Sequence, residues 1–572
     1  MPDQSDAESQ PASAVPARRR RPWWQIAGLL ILTISTVAAI PLGISLRRNA
    51  FDWSSSIHHT DLYAARARGE IAHRAGIFET YEKIASGRIN MDRYGIDYAP
   101  LRLTAITSWV RWLHDNHPNE PWRGDYEQAR PLLTANTVAS LVSSMLVFLL
   151  VRLWVRRSVT HISARLDFMT GAAAGMSGAT LFWFNPAIIW DGHCWPQWDV
   201  WLMPFFLSAV LLASIDCWFF AAVCVVTAAF FKGQILLVAP LLVMWPLFQL
   251  RFGAVLRFFA GCFATAAVLA LPWMGIGSGG LWLVQITLAV GVVAVASFWR
   301  IGGNRAVAVW IAIALVLGWA WMSAASLSWR AASLAPAAIA CLVFILPGKR
   351  WLTAIAGSFG TAILLLMPLF DARTAWYTVG FEYGTHKFPN LASAVGTYSI
   401  PTILRDYFNW PDNMETPVGF FGYECSIRFF MFGIFGISLL LCSIAAAVHD
   451  RRRDPRFLLA AITPWVCFFS LLTQMNNRYL VWGAVLTSLL SGVSVGLTLL
   501  GLLLSVICVV GMAQHMLPMD RSFAPDMTSV VQSLQTHLAW PVALIAMIFL
   551  YSTVAPALRR SRVGPKLMPF KK

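Results

Sequence analysis

The chain has 572 residues, of which 57% are hydrophobic and 13% charged, with a net charge of +16 and a mean hydropathy of +0.60. Soluble domains carry about 25% charged residues, so a soluble globular protein is excluded and a polytopic membrane protein is expected. Nor does the positive charge mark a nucleic-acid binder, because it is broken into short clusters between apolar runs, the pattern that sets membrane orientation.

Residues 1–22 read as a disordered basic cytoplasmic tail ending in Arg18 to Arg21. A transmembrane domain follows over 23–557, then a second basic cytoplasmic tail over 558–572. Spans are expected near 23–46, 132–152, 167–190, 199–215, 217–231, 234–250, 257–275, 281–299, 306–325, 331–347, 351–370, 429–448, 457–473, 479–495, 496–514 and 539–557. That is about sixteen helices, and helices they must be, since lipid offers the backbone no outside partners. The first run is too long for a signal-peptide core and is read as a retained span. The remaining basic clusters are Arg152, Arg156, Arg157 and Arg165, then Arg251 and Arg257, Arg300 and Arg305, Lys349 and Arg350, Arg451 to Arg453 with Arg456, and the C-terminal residues. Placing all of them inside gives one consistent topology, with both termini cytoplasmic. The fold class is therefore an all-α polytopic membrane protein with long first and late extracytoplasmic loops.

Three outer connections are richer than a turn requires: 48–131, 191–199 and 371–428. In the first, Asp61 to Ile84 has helical spacing and reads as an amphipathic surface helix. Cys194 and Cys425 fall in outer connections, where a disulfide is an option in an oxidising compartment. Walker A, Gly-x-Gly-x-x-Gly and zinc-type spacings are absent. Any chemistry must then use a substrate available at the membrane. No cofactor is expected; the carboxylates leave room for a divalent metal, but no ligand spacing asks for one.

Several segments, in order, are similar to the GT-C superfamily of integral-membrane glycosyltransferases. Thr60-Asp61-Leu62-Tyr63 sits where these enzymes place an acidic residue in the first outer loop, and Ile96-Asp97-Tyr98-Ala99-Pro100-Leu101 resembles their D-Y-P-P-L stretch. Trp195-Pro196-Gln197-Trp198-Asp199 looks like W-G-Q-x-D, and Asp191-x-His193 before it is similar to the opening of D-H-x-H-F-Q-Y-N in the N-glycan glucosyltransferases. Phe231-Lys232-Gly233-Gln234 with Pro240 resembles K-x-Q…P, and Asn477-Arg478-Tyr479-Leu480 resembles H-E-R-Y-L. The chain departs from these patterns at Ala99, at Pro196, and at Asn476-Asn477, where the family often has His-Glu.

The resemblance implies a GT-C fold and sugar transfer from a polyprenyl- or dolichyl-phosphate donor, as in the dolichyl-phosphate-glucose glucosyltransferases and the bacterial polyprenyl-phosphate mannosyltransferases. The acceptor would be a glycan, lipid or protein outside the cytoplasm. Inverting transfer needs a base for the acceptor hydroxyl, a role expected of Asp61 with Asp52 as the alternative. Cations must meet the departing lipid phosphate, and Lys232, Arg478, His386, Lys387 and Arg428 are the candidates. Asp97, Asp191, His193, Gln197, Asp199, Gln234 and Glu382 are the expected pocket residues. Short loops lean toward a bacterial inner or cell membrane. The rival readings are a lipid or glycan transporter or flippase and a polymerase or ligase of lipid-linked glycans, with a non-catalytic scaffold last.

Overall fold

The computed structural model describes residues 23–55, 57, 59–89, 96, 99–158, 164–274, 397–420, 423–519, 524–534 and 537–559. The expected spans 281–299, 306–325, 331–347 and 351–370 lie outside the described residues, as do residues 1–22 and 560–572 and the late outer loop up to residue 396.

In chain order the helices are α1 Trp23–Trp53, α2 His59–Ala75, α3 Glu79–Ala85, α4 Pro100–Asn116, α5 Tyr126–Ser158, α6 Ala164–Trp183 and the short α7 Pro186–Ile189. After a π turn at Trp190–Cys194 come α8 Leu202–Ser214, α9 Trp218–Phe231, α10 Ile235–Val238, α11 Pro240–Phe248 and α12 Phe252–Met274. The later part holds α13 Ile400–Phe408, α14 Ile427–Arg452, α15 Arg456–Leu471, α16 Leu480–Leu486, α17 Val495–Met516, α18 Pro525–Ser533 and α19 Ala539–Leu558. Among the described residues, five helices are long and apolar enough to cross a membrane: Ile26–Trp53, Tyr126–Ser158, Ile427–Arg452, Val495–Met516 and Ala539–Leu558. Shorter apolar helices pack among them, so the described part of the chain is predominantly helical and of membrane type.

Helix α15 is buried from Phe457 to Ser470 on every side. A helix apolar all round belongs at the centre of a bundle, and α15 packs against α14, α16 and α19. Its Trp465 meets Phe206 and Trp482 edge-on or tilted, while Phe457 stacks on Trp154 at 4.0 Å. Helices α9 and α12 approach closely where Gly261 faces the backbone carbonyl of Phe219, leaving no room for a Cβ.

Two expected spans take a different form. The run 234–250 is divided into α10 and α11 at Pro240, whose ring removes a donor from the helical ladder. The expected span 479–495 is α16 followed by a tighter 3₁₀ stretch at Thr487–Gly492, while the expected span 496–514 is α17, beginning at Val495 under a Ser494 cap. An antiparallel hairpin, β1 Pro417–Phe420 with β2 Tyr423–Ser426, pairs Val418 with Cys425 and was not read from the sequence. Cys194 and Cys425 are both free thiols.

The connections sort into two ends. At one end Asp216 pairs with Arg251 at 2.5 Å, Arg157 donates to Ser214 O, Asp450 accepts from Gln249 and Trp245, and Arg452 donates to Pro556 O. The other end gathers α2, residues 190–201, Lys232, Tyr398, Arg478 and the close of α17.

A candidate active site at one end of the bundle

The site is built on the segment between α7 and α8. The Asn185 side chain accepts from Ala187 N at 2.9 Å, and Pro186 occupies the first helical position, so α7 starts cleanly. The helix then widens into the π turn, a form common at functional sites. Trp195 N closes it on Trp190 O at 2.8 Å, and Gln197 N returns to Asp191 O at 2.9 Å. Asn136 of α5 pins the result: its amide donates to Gly192 O at 2.7 Å and to Gln197 O at 2.8 Å, while its carbonyl accepts from Trp201 Nε1 at 2.7 Å.

Asp61 enters from the first turn of α2. Its Oδ2 accepts from Trp195 Nε1 and from Gln197 Nε2, the latter at 2.9 Å. Both donors converge on one oxygen, which leaves Oδ1 of this half-buried carboxylate without a hydrogen bond among the described residues. Asp52, the alternative base, is exposed at the end of α1.

Two residues beyond Gln197, Asp199 is 0% exposed and forms an ion pair through Oδ1 with Lys232, itself 7% exposed. Arg478 Nε stands 3.6 Å from Asp199 Oδ2. The Lys232 ammonium also lies over the rings of Tyr479 and Trp482, at 4.6 and 4.9 Å, and Trp482 Nε1 donates to Asp199 O at 2.9 Å. Carboxylate, ammonium and aromatic faces thus offset the cost of burying each charge. Arg478 sits in a 3₁₀ turn, Asn477–Tyr479, capped by the Asn476 side chain.

Asp191 is fully buried, and among the described residues neither carboxyl oxygen has a hydrogen-bond partner. Burial pushes its carboxyl up to about 7, against the pull of Lys232 and Arg478. His193 is buried beside it, and burial takes its imidazole down to about 3, helped by Arg47. Thr137 Oγ1 donates to Leu133 O at 2.9 Å, so at 3.1 Å from His193 Nε2 it accepts; the ring proton is therefore assigned to Nε2.

Asp61, Asp191, Gln197, Asp199, Lys232 and Arg478 are accordingly brought to one end, linked through the 190–201 segment. His193 lies on that segment but turns to α5. Gln234 opens α10, two residues past Lys232. Arg428 stands apart: it pairs with Glu415 at 2.7 Å at the base of the hairpin. Asp97, Glu382, His386 and Lys387 lie outside the described residues. Among the described residues no group of three or more His, Cys, Asp or Glu is placed to hold a metal ion.

Sequence reading passed over Asn136, a lone amide in an apolar run, and His515, whose ring stacks on Trp195 at 4.7 Å. In the first case the polar residue in a predicted span was the available signal. Compared by sequence, no family model and no curated protein matches the chain.

Proposed function

We propose that the chain is a GT-C-type glycosyltransferase of about sixteen spans that moves a sugar from a polyprenyl-phosphate donor to an acceptor on the extracytoplasmic face. The acceptor oxygen forms its bond to the anomeric carbon as the bond from that carbon to the phosphate oxygen breaks. The electron pair leaves on the phosphate, and the acceptor proton passes to Asp61 Oδ1. Arg478 faces the phosphate. Lys232 acts behind it as the counter-charge that holds Asp199.

One observation carries the reading. A half-exposed carboxylate is held by a single oxygen on a segment whose next acid, Asp199, is shared by a lysine and an arginine. A positioned base and fixed cations are what inverting displacement of a phosphate requires. The sidedness draws on the opposite end of the bundle, which carries Arg157, Arg251, Arg257, Arg451, Arg452 and Arg456, the expected cytoplasmic excess. The bacterial-membrane location and cytoplasmic termini belong to the same proposal.

The test is incubation of the purified protein in lipid nanodiscs with a panel of radiolabelled prenyl-phosphate sugars and a membrane extract. Labelled glycan, lipid or protein is expected from the wild type. A transporter or flippase is the second reading, favoured by the buried Asp191, whose carboxyl has no hydrogen-bond partner among the described residues, and separately by the helix break at Pro240. Uptake of label into proteoliposomes with no covalent product would establish that reading instead.

A further inference from the structure

His515 ends α17, half-buried, with its ring against Trp195 at 4.7 Å and an interplanar angle of 24°. That indole is the one that donates to Asp61, and the Arg478 guanidinium lies 5.6 Å from its centre. The imidazole is therefore within electrostatic reach of both Asp61 and Arg478. Among the described residues, no side chain or backbone group hydrogen-bonds either of its nitrogens.

This position is fixed from three sides. Asn477, next to Arg478 in the chain, donates to Gly511 O at 3.2 Å, and Gly511 lies one helical turn before His515 on the same face of α17. Only glycine fits there, since a Cβ at 511 would stand 2.8 Å from Tyr398 Cε2 and 3.1 Å from Asn477 Cβ. Gln514 accepts from the Tyr398 hydroxyl and donates to Val531 O at 2.6 Å. The register of α17 against the Arg478 turn is thus set, and with it the distance from imidazole to guanidinium. A flat ring held by stacking, with its nitrogens left without hydrogen bonds among the described residues, can receive a ligand atom in the ring plane. The neighbouring guanidinium selects an anion, and planar N–H donors beside it suit phosphate oxygens.

We propose that His515 is a further substrate-binding residue of this site, donating an imidazole N–H to a phosphate oxygen of the prenyl-phosphate donor alongside Arg478. This role rests on the glycosyl-transfer reading above. As the sugar leaves, that oxygen gains charge, and the hydrogen bond strengthens without any proton being consumed.

Two variants separate binding from packing. His515→Phe keeps a ring on Trp195 and removes both ring nitrogens, the N–H donor among them; His515→Gln keeps a donor and loses the stack. Thermal unfolding of each variant first establishes that the protein remains folded in nanodiscs. Binding of farnesyl phosphate is then measured, with inorganic phosphate as a second probe, beside sugar transfer by the same preparations. Loss of one hydrogen bond to a charged group corresponds to about ten- to hundred-fold weaker binding. That loss is expected of His515→Phe toward farnesyl phosphate, with His515→Gln keeping most of the affinity and inorganic phosphate binding weakly throughout. If His515→Phe binds and transfers like the wild type, or only His515→Gln is impaired, the ring is a packing element and the proposal is overturned while the transfer reading survives. If the wild type fails to bind farnesyl phosphate, or prefers inorganic phosphate, both are overturned. If binding depends on His515 but no sugar moves, the contact stands and the transfer reading fails.

Discussion

Replacing Lys232 with methionine removes an ammonium from the most enclosed ion pair at the site. Asp199 is 0% exposed, and its Oδ2 has no hydrogen bond among the described residues, with Arg478 Nε 3.6 Å away. Stranding one member of a buried pair costs about 3–5 kcal/mol. Arg478 retains part of the compensation, so Lys232→Met is expected near the lower end, about 3 kcal/mol. Asp199→Asn strands the lysine instead and should cost a similar amount. In the double variant neither charge remains, and much of the loss should return, giving a coupling energy of about 2 kcal/mol or more. Denaturant unfolding of the four proteins in lipid–detergent micelles, followed by circular dichroism, supplies the cycle. A Lys232→Met protein within about 0.5 kcal/mol of the wild type, or single losses that simply add, would refute the buried-pair reasoning.

Asp191 and His193 give opposed pH dependences. A carboxyl raised from 3.8 to about 7 binds a proton in the fold that the unfolded chain has lost, so its contribution to stability falls as pH rises over that interval. An imidazole lowered from 6.5 to about 3 is neutral in the fold and charged when unfolded, so its contribution grows between those values. Asp191→Asn keeps the neutral form at every pH. Its stability relative to wild type, read from thermal unfolding, should climb with pH between those two carboxyl values and then level off; a flat difference would count against burial of that carboxyl. Gly261→Ala pushes a methyl group into Phe219 O and should destabilise the α9–α12 contact by about 1–3 kcal/mol, whereas the same change at Gly433, which has nothing within 4 Å, should not.

Much of the helical layout was legible, because long apolar runs with polar punctuation leave few alternatives in lipid. Breaks inside those runs were less so. The run 234–250 reads as one span although Pro240 interrupts it, and the 3₁₀ stretch at Thr487–Gly492 has no proline or charge to announce it and packs against α6 and α17. The hairpin at 417–426 is too short to raise a period-two signal above a polar loop. At the site, Asp61, Asp199, Lys232 and Arg478 could be picked out individually as polar residues flanking apolar runs. Their joining could not, since Asp199 meets partners at positions 232 and 478 only through the tertiary fold. His515 stayed hidden because a histidine at the end of an apolar helix reads as interfacial until Gly511 and Asn477 set its register.

The most direct test is single-turnover transfer from a pre-bound radiolabelled prenyl-phosphate sugar, comparing wild type with Asp61→Asn. The amide can still accept from Trp195 and Gln197, so donor affinity and folding should hold while transfer slows by about 10²–10⁴-fold, the range for losing a positioned base. Equal rates from the two proteins would contradict the assignment of Asp61.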